Sequence, residues 1–188
     1  MGRVVVTEFV TLDGVMEDPG GSEGFERGGW AFEFERGDEG DRFKLDEIVD
    51  AKAHLLGRVT YEGFAAAWPS RTGEFADRLN NAPKYVVSST LDDPEWTNTT
   101  VLKGDIASEV GKLKDDIDGD ILVAGSRALV HALLQEKLVD ELRLMVFPVV
   151  LGKGKRLFDE GLDKEAFRLV ESNPVGNEGV LTLVYRAK

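Results

Sequence analysis

The chain has 188 residues, 42% of them hydrophobic, no cysteine and a formal net charge of −12. That composition fits one globular domain, 1–188, with a sizeable core, and it excludes disulfides, thiolate catalysis and zinc–cysteine sites. The acidic balance argues against a nucleic-acid partner, which needs a concentrated basic face, and no apolar run of about eighteen residues marks a membrane span. The N-terminus enters a strand at once and carries no signal-peptide pattern, so a cytoplasmic protein is the simplest reading.

Arg3 to Val10 is β-branched and apolar and predicts a strand, closed by the turn chemistry of Thr11-Leu12-Asp13-Gly14. Residues 17–41 are rich in Gly, Glu and Asp, with Phe25, Trp30, Phe32 and Phe34 among them. A connection of that length in a compact domain is a lid, a binding loop or a mobile segment. The rings suggest that it packs over something; the alternative is a partly disordered acidic loop with a few anchors. Asp41 to Ala51 predicts a helix with Phe43, Leu45, Ile48 and Val49 as its apolar stripe. Ala53-His54-Leu55-Leu56 reads as a buried strand running to Gly57, followed by a helix to Trp68 and a short one over Glu74 to Asn81.

Strands over Lys84 to Ser88 and Thr99 to Leu102 precede an amphipathic helix, Asp105 to Ile117, with Asp105 as its N-cap. Asp120 to Ala124 is a further buried strand, and Arg127 to Glu136 the helix after it. Asp140 to Val150 predicts a long strand in which Pro148 marks an edge or a bulge. Phe167 to Glu171 and Val180 to Tyr185 form a last pair, joined through Asn173-Pro174 and Asn177-Glu178-Gly179. Strand and helix alternate over the first two-thirds and strands dominate the remainder. This pattern predicts a mostly parallel α/β sheet with an antiparallel edge.

Gly57-Arg58-x-Thr60, Ser88-Ser89-Thr90 and Gly125-Ser126 each follow a buried strand. In parallel α/β sheets ligands bind beyond the carboxyl ends of the strands. There glycine lets a phosphate approach the backbone, hydroxyls donate hydrogen bonds, and arginine supplies a permanent cation. Each alone reads as a cap or a turn; together they form a phosphate site. Gly152-Lys153-Gly154-Lys155 lacks the hydroxyl residue of a Walker loop and reads as a turn with solvated lysines. His54 and His131 read as structural, and no His, Asp or Glu spacing points to a metal.

In this order, Leu12-Asp13-Gly14, Gly57-Arg58-x-Thr60-Tyr61-Glu62, Ser88-Ser89, Val123-Ala124-Gly125-Ser126 and Pro148-Val149-Val150-Leu151-Gly152-Lys153-Gly154 resemble the dihydrofolate reductase-like superfamily. Within it the chain is most similar, over residues 3–187, to the reductase domain of riboflavin-biosynthesis proteins and its stand-alone relatives. The resemblance implies a three-layer fold, a mixed, mostly parallel sheet flanked by helices with an antiparallel C-terminal edge. It implies NADPH as cofactor, with Gly57, Arg58 and Thr60 at its phosphates, Ser88 and Ser89 at the adenosine ribose and 2′-phosphate, and Gly125 and Ser126 at the pyrophosphate. Phe9 would border the nicotinamide, and Asp13, Gly14 and Met16 would form the loop over the cofactor.

Folate reductases carry a carboxylate on the helix before the Gly-Arg strand. Counting from Phe43-Lys44 points to Glu39, and counting back from Gly57 points to Asp41; no catalytic residue is assigned. The Leu-Pro-Trp segment of folate reductases is missing. The implied activity is NADPH-dependent reduction of a small heterocyclic substrate, as in 5-amino-6-(5-phosphoribosylamino)uracil reduction. A folate reductase proper, or a nucleotide- or pterin-binding protein without turnover, is the alternative. The apolar C-terminal strands, and the resemblance, imply a homodimer.

Overall fold

Alternation along the first strand decides the layering. In the computed structural model, which describes residues 1–188, β1 (Arg3–Thr11) sends Val4, Val6 and Val10 into one core and Val5 into another on the opposite face. The chain continues through a 3₁₀ turn (Trp30–Glu33), α1 (Gly37–Asp50), β2 (Ala51–Gly57), α2 (Arg58–Ala67), α3 (Glu74–Asn81), β3 (Lys84–Val87) and β4 (Thr99–Leu102). It ends with α4 (Ile106–Asp116), β5 (Asp120–Val123), α5 (Arg127–Gln135), β6 (Glu141–Phe147), β7 (Phe167–Val175) and β8 (Val180–Ala187).

These strands form one eight-stranded sheet in the order β4-β3-β2-β5-β1-β6-β8-β7. All pairs from β4 to β6 are parallel, and β6-β8 and β8-β7 are antiparallel. The predicted mixed sheet with an antiparallel C-terminal edge is thus observed. Val4, Val6 and Val10 pack against Val110 and Leu113 of α4 and Leu129, Val130 and Leu133 of α5. Val5 packs with Ile48 of α1, Tyr61 of α2 and Leu79 of α3. Burying these aliphatic side chains stabilises each by roughly 1.5–3 kcal/mol relative to exposure.

Three boundaries differ from expectation. Helix α1 begins at Gly37 rather than Asp41; its first turn is polar, and Asp38 and Glu39 there complement the helix dipole. Strand β6 stops at Phe147, before Pro148. Strand β7 continues through Asn173-Pro174 to Val175, and it lies at the sheet edge, where proline's missing N–H costs no ladder bond.

The stretch expected to be a lid is anchored to the core through a few residues, Asp18, Trp30 and Ala31 above all, while much of it is exposed. Trp30 is fully buried against Phe147, their rings 5.4 Å apart, and its Nε1 donates to the Glu17 carbonyl at 2.9 Å. Val15, Trp30 and Ala31 pack with Met145, Phe147, Val175 and Val180, with Phe25, Phe34 and Phe43 around them. The segment therefore covers a part of the antiparallel half. The buried Asp18 holds its turn, its carboxylate accepting from the Glu23 and Phe25 amides at 3.0 and 3.1 Å.

Candidate active site

The parallel order β3-β2-β5-β1 brings the predicted phosphate motifs to one edge of the sheet. Gly57 is the N-cap of α2 and Ser126 the N-cap of α5. A Cβ on Gly57 would collide with Ser126 Oγ, so glycine is what lets the two helix starts abut. Ser126 Oγ accepts from the Leu129 amide at 3.5 Å. Gly125 has φ +70°, a left-handed conformation natural to glycine, and a Cβ there would lie 3.1 Å from Thr60 Oγ1. Thr60 sits within the first turn of α2 rather than at its cap. The first N–H groups of each helix have no intrahelical partner, so two positive helix ends converge beside Gly125.

A neighbouring groove is lined by Arg58, Val87, Ser88, Ser89, Thr90, Leu102, Lys103 and Gly104. Arg58 is half-exposed and pairs with Glu62 one turn on, at 2.9 Å. Ser88 Oγ is committed to its own turn, accepting from the Thr90 and Leu91 amides at 3.2 and 3.0 Å, whereas Ser89 is exposed. Lys103, which sequence reading passed over, adds a second cation at the end of β4, paired with Asp92 at 2.6 Å. The signal for it was its place just past a strand of the same parallel set.

Asp13 binds the following loop rather than open space. Its carboxylate accepts from Thr11 Oγ1 at 2.6 Å, from the Gly152 amide at 2.8 Å and from the Leu151 amide at 3.2 Å. Partial burial alone would raise its pKa, but the Thr11 and amide hydrogen bonds prevail and hold it below the usual value. Gly14 turns the chain at φ +78°, and Met16 packs at the margin of the α4–α5 core. Lys153 and Lys155 of the glycine turn pair with Glu26 and Glu17. That loop is a strap on the 17–30 segment.

Phe9 lies beneath α1. Its ring meets the edge of Phe147 at 5.3 Å, with the Lys44 ammonium at 5.1 Å and the Arg36 guanidinium at 5.5 Å. Lys44 Nζ also donates to Thr7 Oγ1 at 2.6 Å and pairs with the buried Glu47 at 2.6 Å, while Thr7 Oγ1 donates to Glu47 at 2.9 Å. Glu39 and Asp41 are both exposed on α1, and Asp41 pairs with Arg36 at 2.6 Å. Neither is a buried acid; the buried carboxylate of α1 is Glu47.

A further buried acid is Glu8, which sequence reading missed inside an apolar strand. Its Oε1 accepts from the Gly125 amide at 2.7 Å. Burial pushes its carboxyl up to about 8, against the weaker pull of the Gly125 hydrogen bond and the Lys44 charge. His54, buried in β2, is driven down to about 4 by burial and then by the Lys84 charge. His131 Nε2 bonds the Leu157 carbonyl at 2.7 Å. Both histidines stand where a structural role places them.

Residues 3–181 match the family described as the RibD C-terminal domain. The chain is 27% identical over 188 residues to the uncharacterized protein YyaP of Bacillus subtilis (strain 168), covering 97% of this chain and 94% of that one. A crystal structure of a putative riboflavin biosynthesis protein from Shewanella sp. PV-4 superimposes with TM-score 0.74 at 21% identity, over 99% of each chain. Dihydrofolate reductase from Enterococcus faecalis, complexed with NADP(H), superimposes with TM-score 0.63 at 16% identity, over 99% of this chain and 96% of that one. The fold is therefore dihydrofolate reductase-like, with the strand-end motifs at the edge where the sequence placed them. The chain belongs to the RibD C-terminal domain family.

Proposed function

We propose that the protein is an NADPH-dependent reductase of a small heterocyclic or iminium-type substrate, with 5-amino-6-(5-phosphoribosylamino)uracil reduction as the reference reaction. The observation that carries this reading is the meeting of two helix starts at Gly57, Thr60, Gly125 and Ser126. The residues present fit a dinucleotide. Gly125, in its left-handed conformation, lets Thr60 Oγ1 approach its backbone closely, and the adjoining groove carries Arg58, Ser89 and Lys103. The structurally similar Enterococcus protein is complexed with NADP(H).

In this reading Thr60, Gly125 and Ser126 hold the diphosphate, and Arg58, Ser89 and Lys103 meet the 2′-phosphate. Ser88 shapes the turn that presents Ser89. NADPH would supply the hydride, and the chain supplies orientation and exclusion of water. Asp13 clamps the 151–152 loop to the end of β1, and Trp30 seals the adjoining core. Phe9, between the Lys44 and Arg36 cations, offers an aromatic platform with positive charge on it, suited to a flat heterocycle bearing an anionic group. Exposure of both Glu39 and Asp41 removes the two carboxylates that the sequence offered for a folate substrate, and the buried carboxylate of the same helix, Glu47, is taken up by Lys44 and Thr7.

Titration of the protein into NADPH, followed by cofactor fluorescence, tests the shared premise; absence of saturable binding sinks it. NADPH oxidation is then followed with the aminouracil substrate and with dihydrofolate. Turnover with the aminouracil alone is the expected result. Binding without oxidation of either mixture would make the protein a nucleotide-binding module.

A further inference from the structure

Two arginines open the helices that meet at the strand-end site, Arg58 on α2 and Arg127 on α5. An arginine directly after a Gly-Ser turn at a helix start is a residue expected to hold phosphate. Arg127 is turned elsewhere. Its Nε donates to the Arg156 carbonyl at 2.9 Å and its Nη2 pairs with Asp159, both in the connection between β6 and β7. His131, one turn along α5, takes the same segment. Its Nε2 donates to the Leu157 carbonyl at 2.7 Å, and its Nδ1 lies 3.7 Å from Asp159 Oδ1. Gln135, a turn further, reaches the Gly161 carbonyl at 3.5 Å. Positions i, i+4 and i+8 share one face of a helix, so α5 presents a row of side chains to this connection. The other side of the connection holds the loop after β1. Arg156 Nε donates to the Asp13 carbonyl at 3.0 Å, the Leu157 amide to the Gly14 carbonyl at 2.9 Å and the Met16 amide to the Lys155 carbonyl at 2.9 Å. Val15 and Arg156 form an antiparallel bridge. Contacts therefore run unbroken from the first turn of α5, beside Gly125 and Ser126, to the Asp13–Met16 loop.

We infer that Arg127 is a positioning residue of the site and not a ligand of the diphosphate: with His131 it fixes the Asp13–Met16 loop to α5 through residues 155–159. This rests on the proposed function only in taking the anion at the Gly125–Ser126 turn and the loop beside it as parts of one site. Arg58 provides the contrast. Its partner Glu62 lies on its own helix, so yielding the guanidinium to a phosphate moves no other segment. Arg127 would have to leave two acceptors on another segment, and that segment carries the loop. Asp159 is also shared with His131, so the arginine cannot depart without disturbing the second tie. The side chain that a motif search would count as a third cation for the cofactor is thus spent on geometry.

The two roles for Arg127 give opposite signs in one variant. If Arg127 were a phosphate ligand held back by Asp159, Asp159→Asn would release it and tighten NADPH. If Arg127 positions the loop, Asp159→Asn loosens the loop and weakens NADPH, by roughly fivefold to tenfold. Arg127→Met is expected to weaken it similarly, and the double variant to lose less than the two single losses combined, since both act through one contact. The preference for NADPH over NADH should stay as in the native protein, because it belongs to the 2′-phosphate. Hydrogen exchange in the empty protein reads the loop directly. The Met16 and Leu157 amides are expected to exchange about tenfold faster in each single variant, with those of β1 and β5 unchanged. Tighter NADPH binding by Asp159→Asn overturns the inference, and so does native exchange at Met16 and Leu157 in Arg127→Met. A native protein that binds no NADPH, with exchange at Met16 and Leu157 accelerated in Arg127→Met, removes the cofactor reading and keeps the tie between loop and helix.

Discussion

Arg58 is the cation that the sequence advertised, and the structure shows it on α2 with an ion pair to release. Its partner Glu62 is half-exposed, so their attraction is worth only about 0.3–0.5 kcal/mol, as for other i,i+4 pairs, and a phosphate can displace it. A charge-assisted contact to the ligand contributes roughly 1.5–3 kcal/mol, so Arg58→Ala is expected to weaken NADPH by about one to two decades. The same variant should hardly change NADH binding, because the lost contact is with the 2′-phosphate. Equal affinities for the two cofactors in the native protein would refute this placement. Glu8 shows the opposite case. A single glutamate inside Val-Val-Val-Thr-Glu-Phe-Val carries no periodic or motif signal, and its meaning appears only when the β1–β5 pairing sets it against Gly125.

Elements with a strong apolar period were legible and those anchored by isolated residues were not. The buried strands announced themselves through β-branched runs, and their small polar ends gave the ligand edge because parallel strands all end on the same side. The start of α1 was hidden, since Gly37 to Asp41 contains no apolar residue to set a period. Residues 17–41 read as a lid, a binding loop or a mobile segment because glycine and acidic residues dominate, yet one fully buried indole anchors the stretch. Trp30 and Ala31 should therefore be protected from hydrogen exchange without ligand, while Gly20 to Gly24, at the exposed tip, should exchange fast. Rapid exchange at Trp30 in the empty protein would restore the lid. Trp30→Ala should cost about 3–5 kcal/mol by denaturant unfolding, because Phe147 and Val180 would face a cavity.

The sheet as a whole joins a ligand-bearing parallel half to an antiparallel edge, and ion pairs tie the two at the end away from the ligand. Glu141 of β6 is buried among Arg3, Arg143 and Arg186, and Asp120 of β5 pairs with Arg3 and Arg143. Burial alone would raise the Glu141 pKa, but the hydrogen bonds from Arg186 and Arg143 hold it below its usual value. Within the sheet, the exposed large apolar side chains lie on β7 and β8. The Trp30 segment protects one face there, through Val175 and Val180. Leu181 follows Val180 and points to the other face, 38% exposed, and Leu169, paired in register with Tyr185, is 50% exposed. The edge itself is blunted by Pro174 and by polar Arg168, Glu171, Ser172 and Asn173. A partner therefore gains more by covering the apolar face than by extending the ladder. Exposed apolar surface next to a sheet edge is normally covered, and a second copy can cover it with the same residues on both sides. We therefore expect a two-fold homodimer through the outer face of β7 and β8. Sedimentation at micromolar concentration should give about twice the chain mass of 20.7 kDa. Leu169→Glu with Leu181→Lys should shift it to the monomer while circular dichroism stays native. A wild-type protein that sediments as one species of 20.7 kDa would leave Leu169 and Leu181 simply exposed.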